Sequence, residues 1–264
     1  MGTKMNKAPV FFTVAQIRLN PVSGLDASMA AIYDKMKGIG FPEHSIQMAP
    51  RFVPPGKDAN PPVPSMQFFH RYLFDNSTRT AGFVIEHDAM SFLTTDYQTF
   101  ELFLETFQSG ISIVNDAVHF GPVTRIGLRY LDAVQPPPDE SLSQYLIPEV
   151  LGLSNRYPGT LLKHAFSETV ADIPAGRIVS RVAIKEGALG LPPDMAQLEH
   201  KIADRFLRSS GRHAILDTDA YSEPQEQFDP DKTGAIFKAL HDEIVSVFTN
   251  LATPHAVAAW KREV

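Results

Sequence analysis

The stretch that decides the fold is GPVTRIGLRYLDAV, residues 121–134. Side chains of a strand alternate between two faces. Arg125, Gly127, Arg129 and Leu131 therefore fall on one side, and Ile126, Leu128, Tyr130 and Asp132 on the other. A segment with one apolar and one charged face suits a sheet that packs on one side and meets solvent on the other. Gly127 either leaves room for a close approach to the backbone or marks a bulge. The arginines have two readings: they pair with carboxylates of neighbouring strands, or they form a fork for a phosphate or a partner's carboxylate.

The flanking segments place this strand among others. Before it, residues 97–118 carry Phe100, Phe103, Leu104, Phe107, Ile111, Val114 and Val118 at helical spacing, an apolar stripe fit to cover a sheet. Residues 10–19 alternate and read as a strand, ended by Asn20-Pro21. Asp26 is placed to cap a helix through Met36, and residues 45–53 form a second strand. Strands over 66–74, 81–88 and 90–95 follow as an antiparallel meander. After it, 141–153 suggests a short helix, and strands run over 161–172 and 177–185. A helix is expected over 193–208 with Met195, Leu198, Ile202 and Phe206 inward, then a strand over 213–221. A helix over 231–251 precedes a last short one opened by Thr253-Pro254.

Two proline-rich segments punctuate the chain. PPGKDANPPVP, residues 54–64, reads as a surface loop, because its prolines forbid a central strand. QPPPDE, residues 135–140, is the best boundary, dividing an N-terminal lobe (1–134) from a C-terminal lobe (141–264), either as close-packed units or as parts of one domain. The expected class is α+β, with mostly antiparallel sheets covered by amphipathic helices and halves readable as ferredoxin-like lobes.

Composition bounds the chemistry. Of 264 residues 44% are hydrophobic, enough for a substantial core, and 30 acidic against 24 basic residues leave a net charge of −6. Global attraction to nucleic acid or to an anionic membrane is not indicated, although a local basic face could exist. With no cysteine in the chain, disulfides, thiolate nucleophiles and thiolate metal sites are excluded. No apolar run reaches membrane-spanning length, so a cytoplasmic protein with no membrane partner is expected.

Candidate sites follow from local pattern. Arg177 and Arg181 share a face with Val179, Ala183 and Lys185, a second basic stripe that echoes Arg125 and Arg129. If the stripes share one sheet face, that face, with Tyr130 nearby, suits phosphate contacts and base stacking. Asp217 and Asp219 fall on one face of a strand, roughly 7 Å apart. They either hold a divalent metal with a third ligand or pair with the basic stripes. His241, at the edge of a helix's apolar face, is either a general base or a boundary histidine hydrogen-bonded locally. No serine elbow, phosphate loop or dinucleotide fingerprint occurs, and no cofactor is expected.

RIGLRYLD resembles the signature segment of a family of sporadically distributed, uncharacterised bacterial proteins. Residues 8–21, the aromatic helix after Thr94, LDTDAY (216–221) and ALHDEIVSVF (239–248) follow that family's pattern in the expected order. The resemblance implies no activity; its patchy occurrence implies a setting in bacterial stress or phage defence. Three readings are carried forward in this order: a non-enzymatic binding protein recognising a protein partner, an RNA-binding or RNA-cleaving protein, and a metal-dependent hydrolase.

Overall fold

A computed structural model describes residues 7–53, 65–155, 163–195, 199–207 and 211–261. The proline-rich segment 54–64 lies outside them. Among the described residues ten strands form one antiparallel sheet: β1 (Val10–Leu19), β2 (Glu43–Val53), β3 (Ser65–Asp75), β4 (Ala81–Glu86), β5 (Ala89–Thr94), β6 (Pro122–Val134), β7 (His164–Ile173), β8 (Gly176–Lys185), β9 (His213–Ser222) and the short β10 (Glu226–Gln227). Their order across the sheet is β2-β3-β4-β5-β1-β6-β9-β8-β7, with β10 pairing β6. The helices are α1 (Leu25–Gly38), α2 (Phe100–Val118), α3 (Leu142–Tyr145), α4 (Asp204–Leu207), α5 (Pro230–Leu251) and α6 (Pro254–Lys261). The fold is therefore α+β.

Two runs of similar order build the sheet. In the first, β1 and α1 precede the meander β2–β5 and then α2; in the second, β6 and α3 precede the meander β7–β9 and then α5. Each meander packs back against its own first strand, and β1 and β6 pair antiparallel at the centre. The sheet is continuous across the proline turn at 135–140, because β6 before it pairs with β9 after it.

The alternation read from β6 sorts the whole sheet. Ile126, Leu128 and Tyr130 join Ala15 and Ile17 of β1, Phe83 and Ile85 of β4 and Ala220 of β9 under the apolar faces of α1, α2 and α5. Farther along the same face, Val134, Val182, Ile184 and Leu216 pack beneath α3, α6 and the end of α5, around Tyr145 and Trp260. Helix α5 ties the two regions, contributing Phe237, Leu240 and Ile244 to one and Leu251 to the other. Its start is fixed by Asp229, whose carboxylate accepts the Lys232 N–H at 3.0 Å, and by Pro230 at the first helical position. Helix α2 starts under the Thr99 hydroxyl, which accepts the Leu102 N–H at 3.3 Å. Helix α1 departs from expectation: Gly24 stands at its cap with φ 79°, and the Asp26 carboxylate instead accepts the Tyr72 hydroxyl at 2.5 Å.

Among the described residues, the opposite face of the sheet carries no long helix. After β8, residues 186–195 and 199–207 lie across it as a strap. Leu189, Met195 and Phe206 pack there on Phe11, Phe12, Leu93, Leu131 and Ile215. The helix expected over 193–208 does not form among the described residues: a single turn spans Pro193–Met195, residues 199–203 are not helical, and α4 is four residues long. The apolar spacing is used to lie flat instead. Lys201 gives its N–H to the Arg79 carbonyl at 2.9 Å and its carbonyl accepts the Thr95 hydroxyl at 2.6 Å, lateral bonds that a helix would forbid.

At Gly110, α2 lies directly against Phe83 of β4 and Met90 of β5. A Cβ there would stand 2.3 Å from Cε1 of Phe83, a ring with no exposed surface. Gly110→Ala is expected to lower the unfolding free energy by about 1–3 kcal/mol through overpacking. Urea denaturation checks this. A gain of about 1 kcal/mol, which helix propensity alone would give, contradicts the packing account.

Candidate functional site

The strands bring Arg125, Arg129, Arg177, Arg181, Asp217 and Asp219 to the face crossed by the strap. Arg125 and Arg129 of β6 flank one side of β9, and Arg177, Arg181 and Lys185 of β8 flank the other. Between them stand Asp217 and Asp219. The two basic stripes thus share one surface, separated by an acidic stripe, and β7 adds Glu168 and Asp172 beyond β8.

Each arginine is paired. Arg129 grips Asp217 with both prongs, Nε to Oδ1 at 2.6 Å and Nη2 to Oδ2 at 2.7 Å, and its Nη1 reaches Asp194 Oδ2 of the strap at 2.5 Å. Arg181 donates to Glu168 at 2.6 Å and lies 3.8 Å from Asp217. Arg177 donates to Asp172 at 2.8 Å. Arg125 stacks over the Tyr221 ring, 4.5 Å from its centroid, and contacts Asp219 at 3.4 Å. Gly127 makes that pose available, since a Cβ there would fall 2.5 Å from Arg125 Nη1. The close approach that the glycine allows is made by the chain's own arginine.

Electrostatics agree with this pairing. Burial alone would weaken the Arg129 charge, but the hydrogen bonds to Asp217 and Asp194 outweigh it and hold the guanidinium firmly protonated. The bond from Arg129 lowers the Asp194 carboxyl below its ordinary range. Burial pushes the Asp219 carboxyl up, against the pull of Arg125 and Arg129.

A cleft of about 470 Å³ opens beside this network. Its floor is Ala183 and Ile215, with Phe166 on one wall, Pro192, Pro193 and Asp194 of the strap on the other, and Arg129, Arg181, Lys185, Asp217 and Asp219 contributing charge. Phe166, Ala183 and Ile215 are adjacent in register across β7, β8 and β9. Phe166 stands 60% exposed. Sequence reasoning missed Phe166, Pro192 and Asp194 as site residues. The two strands joined through residues 173–176 were legible, but not the register that sets Phe166 beside Ala183, and the strap was read as a helix.

One expected role needs correction, and one pair of alternatives narrows. Tyr130 does not share the surface with the arginines; it is buried beneath the helices, its hydroxyl 3.0 Å from Tyr97 Oη and 3.1 Å from His241 Nδ1. Period two separates position 130 from 125 and 129, so Tyr130 offers no stacking platform to a base. His241 stacks flat on Phe100, centroids 4.0 Å apart, and burial lowers its pKa, which leaves a neutral ring hydrogen-bonded to Tyr130. It is the boundary histidine of the two readings and not a base in a cleft. Burial pushes Tyr97 up to about 12 and Tyr130 well above its ordinary value.

The metal reading of Asp217 and Asp219 meets a donor set already in use. Both oxygens of Asp217 accept from Arg129, and among the described residues no cluster of three histidine, aspartate or glutamate side chains is placed to hold an ion. The phosphate reading meets neighbouring carboxylates: Arg125, Arg129, Arg177, Arg181 and Lys185 share the face with Asp172, Glu168, Asp194, Asp217 and Asp219. Such a balanced surface lacks the positive field that draws a phosphate backbone. Among the described residues no helix is long and apolar enough to cross a membrane. Compared with known family models and with curated proteins, the chain matches none.

Removing one member of a mostly buried pair strands the other's charge. Asp217→Ala is therefore expected to destabilise the fold by about 3 kcal/mol, and the double change Arg129→Met with Asp217→Leu to recover most of that loss. Urea unfolding of the two variants checks this; equal losses contradict it.

Asp132, on the helix side of β6, was not singled out by its sequence pattern. It is 7% exposed, and burial pushes its carboxyl from 3.8 up to about 7. The folded state then binds a proton that the unfolded chain has released between these values. Asp132 accordingly lowers stability progressively as pH rises from about 4 to about 7. Asp132→Asn is expected to be about 2–4 kcal/mol more stable than the parent at pH 8, the gap closing below pH 4. Denaturation at the two pH values decides it, and a pH-independent difference contradicts it.

Proposed function

We propose that this chain is a non-enzymatic binding protein that seats a segment of a partner protein in the cleft on the strap face of the sheet. The observation that carries this reading is the composition of the lining. Among the described lining residues there is no hydroxyl, thiol or imidazole, and Asp217, its most buried carboxylate, is tied to Arg129 at both oxygens. A hydroxyl or thiol nucleophile with an imidazole base has no counterpart among these lining residues. What the lining offers is apolar contact from Phe166, Ala183, Ile215, Pro192 and Pro193, with charged groups held in fixed positions. Preformed clefts of this volume with a few oriented polar groups are common recognition sites. Fixed ion pairs add specificity more than affinity. The resemblance of RIGLRYLD to a bacterial family supports placing the partner in a stress or phage-defence setting.

The test is affinity capture with the intact protein and two variants. Ala183→Trp fills the cleft floor, while Leu102→Glu alters an exposed position on α2, beyond the sheet. A stoichiometric partner is expected with the parent and with Leu102→Glu, and its loss with Ala183→Trp. Retention by Ala183→Trp at parental level, with that variant's fold confirmed by circular dichroism, overturns the assignment.

A further inference from the structure

The ends of the cleft are unlike its middle, and the difference describes what fits. In the middle, three of the five N–H donors of Arg129 are met by Asp217 and Asp194, and Arg181 lies between Glu168 and Asp217. The charges of these groups are already compensated by their neighbours. At one end stands Asp219. Its described contact is a single 3.4 Å bond from Arg125 to Oδ2, so Oδ1 keeps its acceptor sites. At the other end Lys185 is exposed, and no carboxylate of a described residue lies within ion-pair distance of it. Between the two, Phe166, Ala183 and Ile215 form an apolar row faced by Pro192 and Pro193.

The spacing is set by the sheet. Lys185 pairs with His213, and Asp219 lies six residues farther along β9. At the rise of a strand this separates the free carboxylate from the free ammonium by roughly 20 Å. An extended chain laid along the groove has the same rise per residue. Its side chains would meet Asp219 and Lys185 about six residues apart and the apolar row in between.

We infer that the segment taken into the cleft is an extended stretch of the partner's chain with a basic side chain opposite Asp219, an acidic side chain opposite Lys185 about six positions away, and an apolar residue between them. This rests on the reading of the cleft as the partner-binding site. Charge complementarity at both ends with an apolar centre selects a peptide over a single-stranded nucleic acid. A phosphate backbone would set its negative charge against Asp219 and Asp194 as well as against Lys185.

A random short-peptide library displayed on phage and panned against the full-length protein at low salt tests this. Enriched sequences are expected to carry Lys or Arg and Asp or Glu about six positions apart around an apolar residue, and enrichment is expected to vanish on Ala183→Trp. Lys185→Glu changes an exposed side chain without an ion pair, so its fold is retained. It is expected to weaken a selected peptide by at least about tenfold, with binding restored when that peptide's acidic residue is replaced by Lys. Enrichment that depends on the open cleft but lacks the charge spacing, or is indifferent to Lys185→Glu, overturns this inference and leaves the partner-binding reading standing. Enrichment unchanged by Ala183→Trp sinks both. An absence of enriched peptides, or stronger retention of a random RNA pool, overturns the inference as well.

Discussion

The bidentate pair between Arg129 and Asp217 is the constraint around which the strap face of the sheet is arranged. A guanidinium only 14% exposed in its side chain is unfavourable unless its donors are met. Two of them are met by a carboxylate on the adjacent strand and a third by Asp194. That third bond reaches into the strap, so a charge on the central strand helps to fix a segment that crosses the sheet. The cleft exists because the strap is held at this height above β8 and β9 by apolar packing toward β1 and by Asp194 on its near side. Fold and site share the same bonds.

The two faces of β6 divide the labour of the molecule. The helix side supplies most of the apolar burial, from Phe83 and Phe107 through Leu128 to Trp260, and with it the favourable term in folding. The strap side trades part of that burial for a patterned array of charge. Alternating signs across β6, β9, β8 and β7 pair each arginine with a carboxylate, so the centre of the array is balanced and held in place. A rigid, preorganised floor is suited to holding another surface, because little side-chain entropy remains to be lost on binding. Asp132 and the Tyr97–Tyr130–His241 chain are the exception on the helix side, a polar inclusion within an otherwise apolar layer.

Much of the sheet was legible because period two is a local property. Residues 10–19, 81–94, 177–185 and 213–221 announce their strands, and the stripes of α2 and α5 announce their helices. Asp217 and Asp219 could be placed on one face, and the sharing of a face by Arg125 and Arg129 followed by the same count. What the count could not supply was partnership across strands. That β9 lies between β6 and β8, and so interleaves acids with the two basic stripes, depends on contacts between residues about 90 positions apart in sequence. The strap misled for a related reason. Met195, Ile202 and Phe206 have a spacing that two geometries can use, and the bonds that select the flat one come from Arg79 and Thr95. Tyr130 was misassigned against the same alternation that placed its neighbours, since an aromatic beside two arginines in sequence lies behind them in a strand.

The central claim is that recognition occurs at the cleft on the strap side. Amide hydrogen exchange, read by mass spectrometry with and without the captured partner, tests it most directly. The account predicts slowed exchange in peptides covering 181–185, 192–195 and 215–219, with α2 and α5 unchanged. Protection confined to the helical layer, with those three segments exchanging as in the free protein, would contradict it.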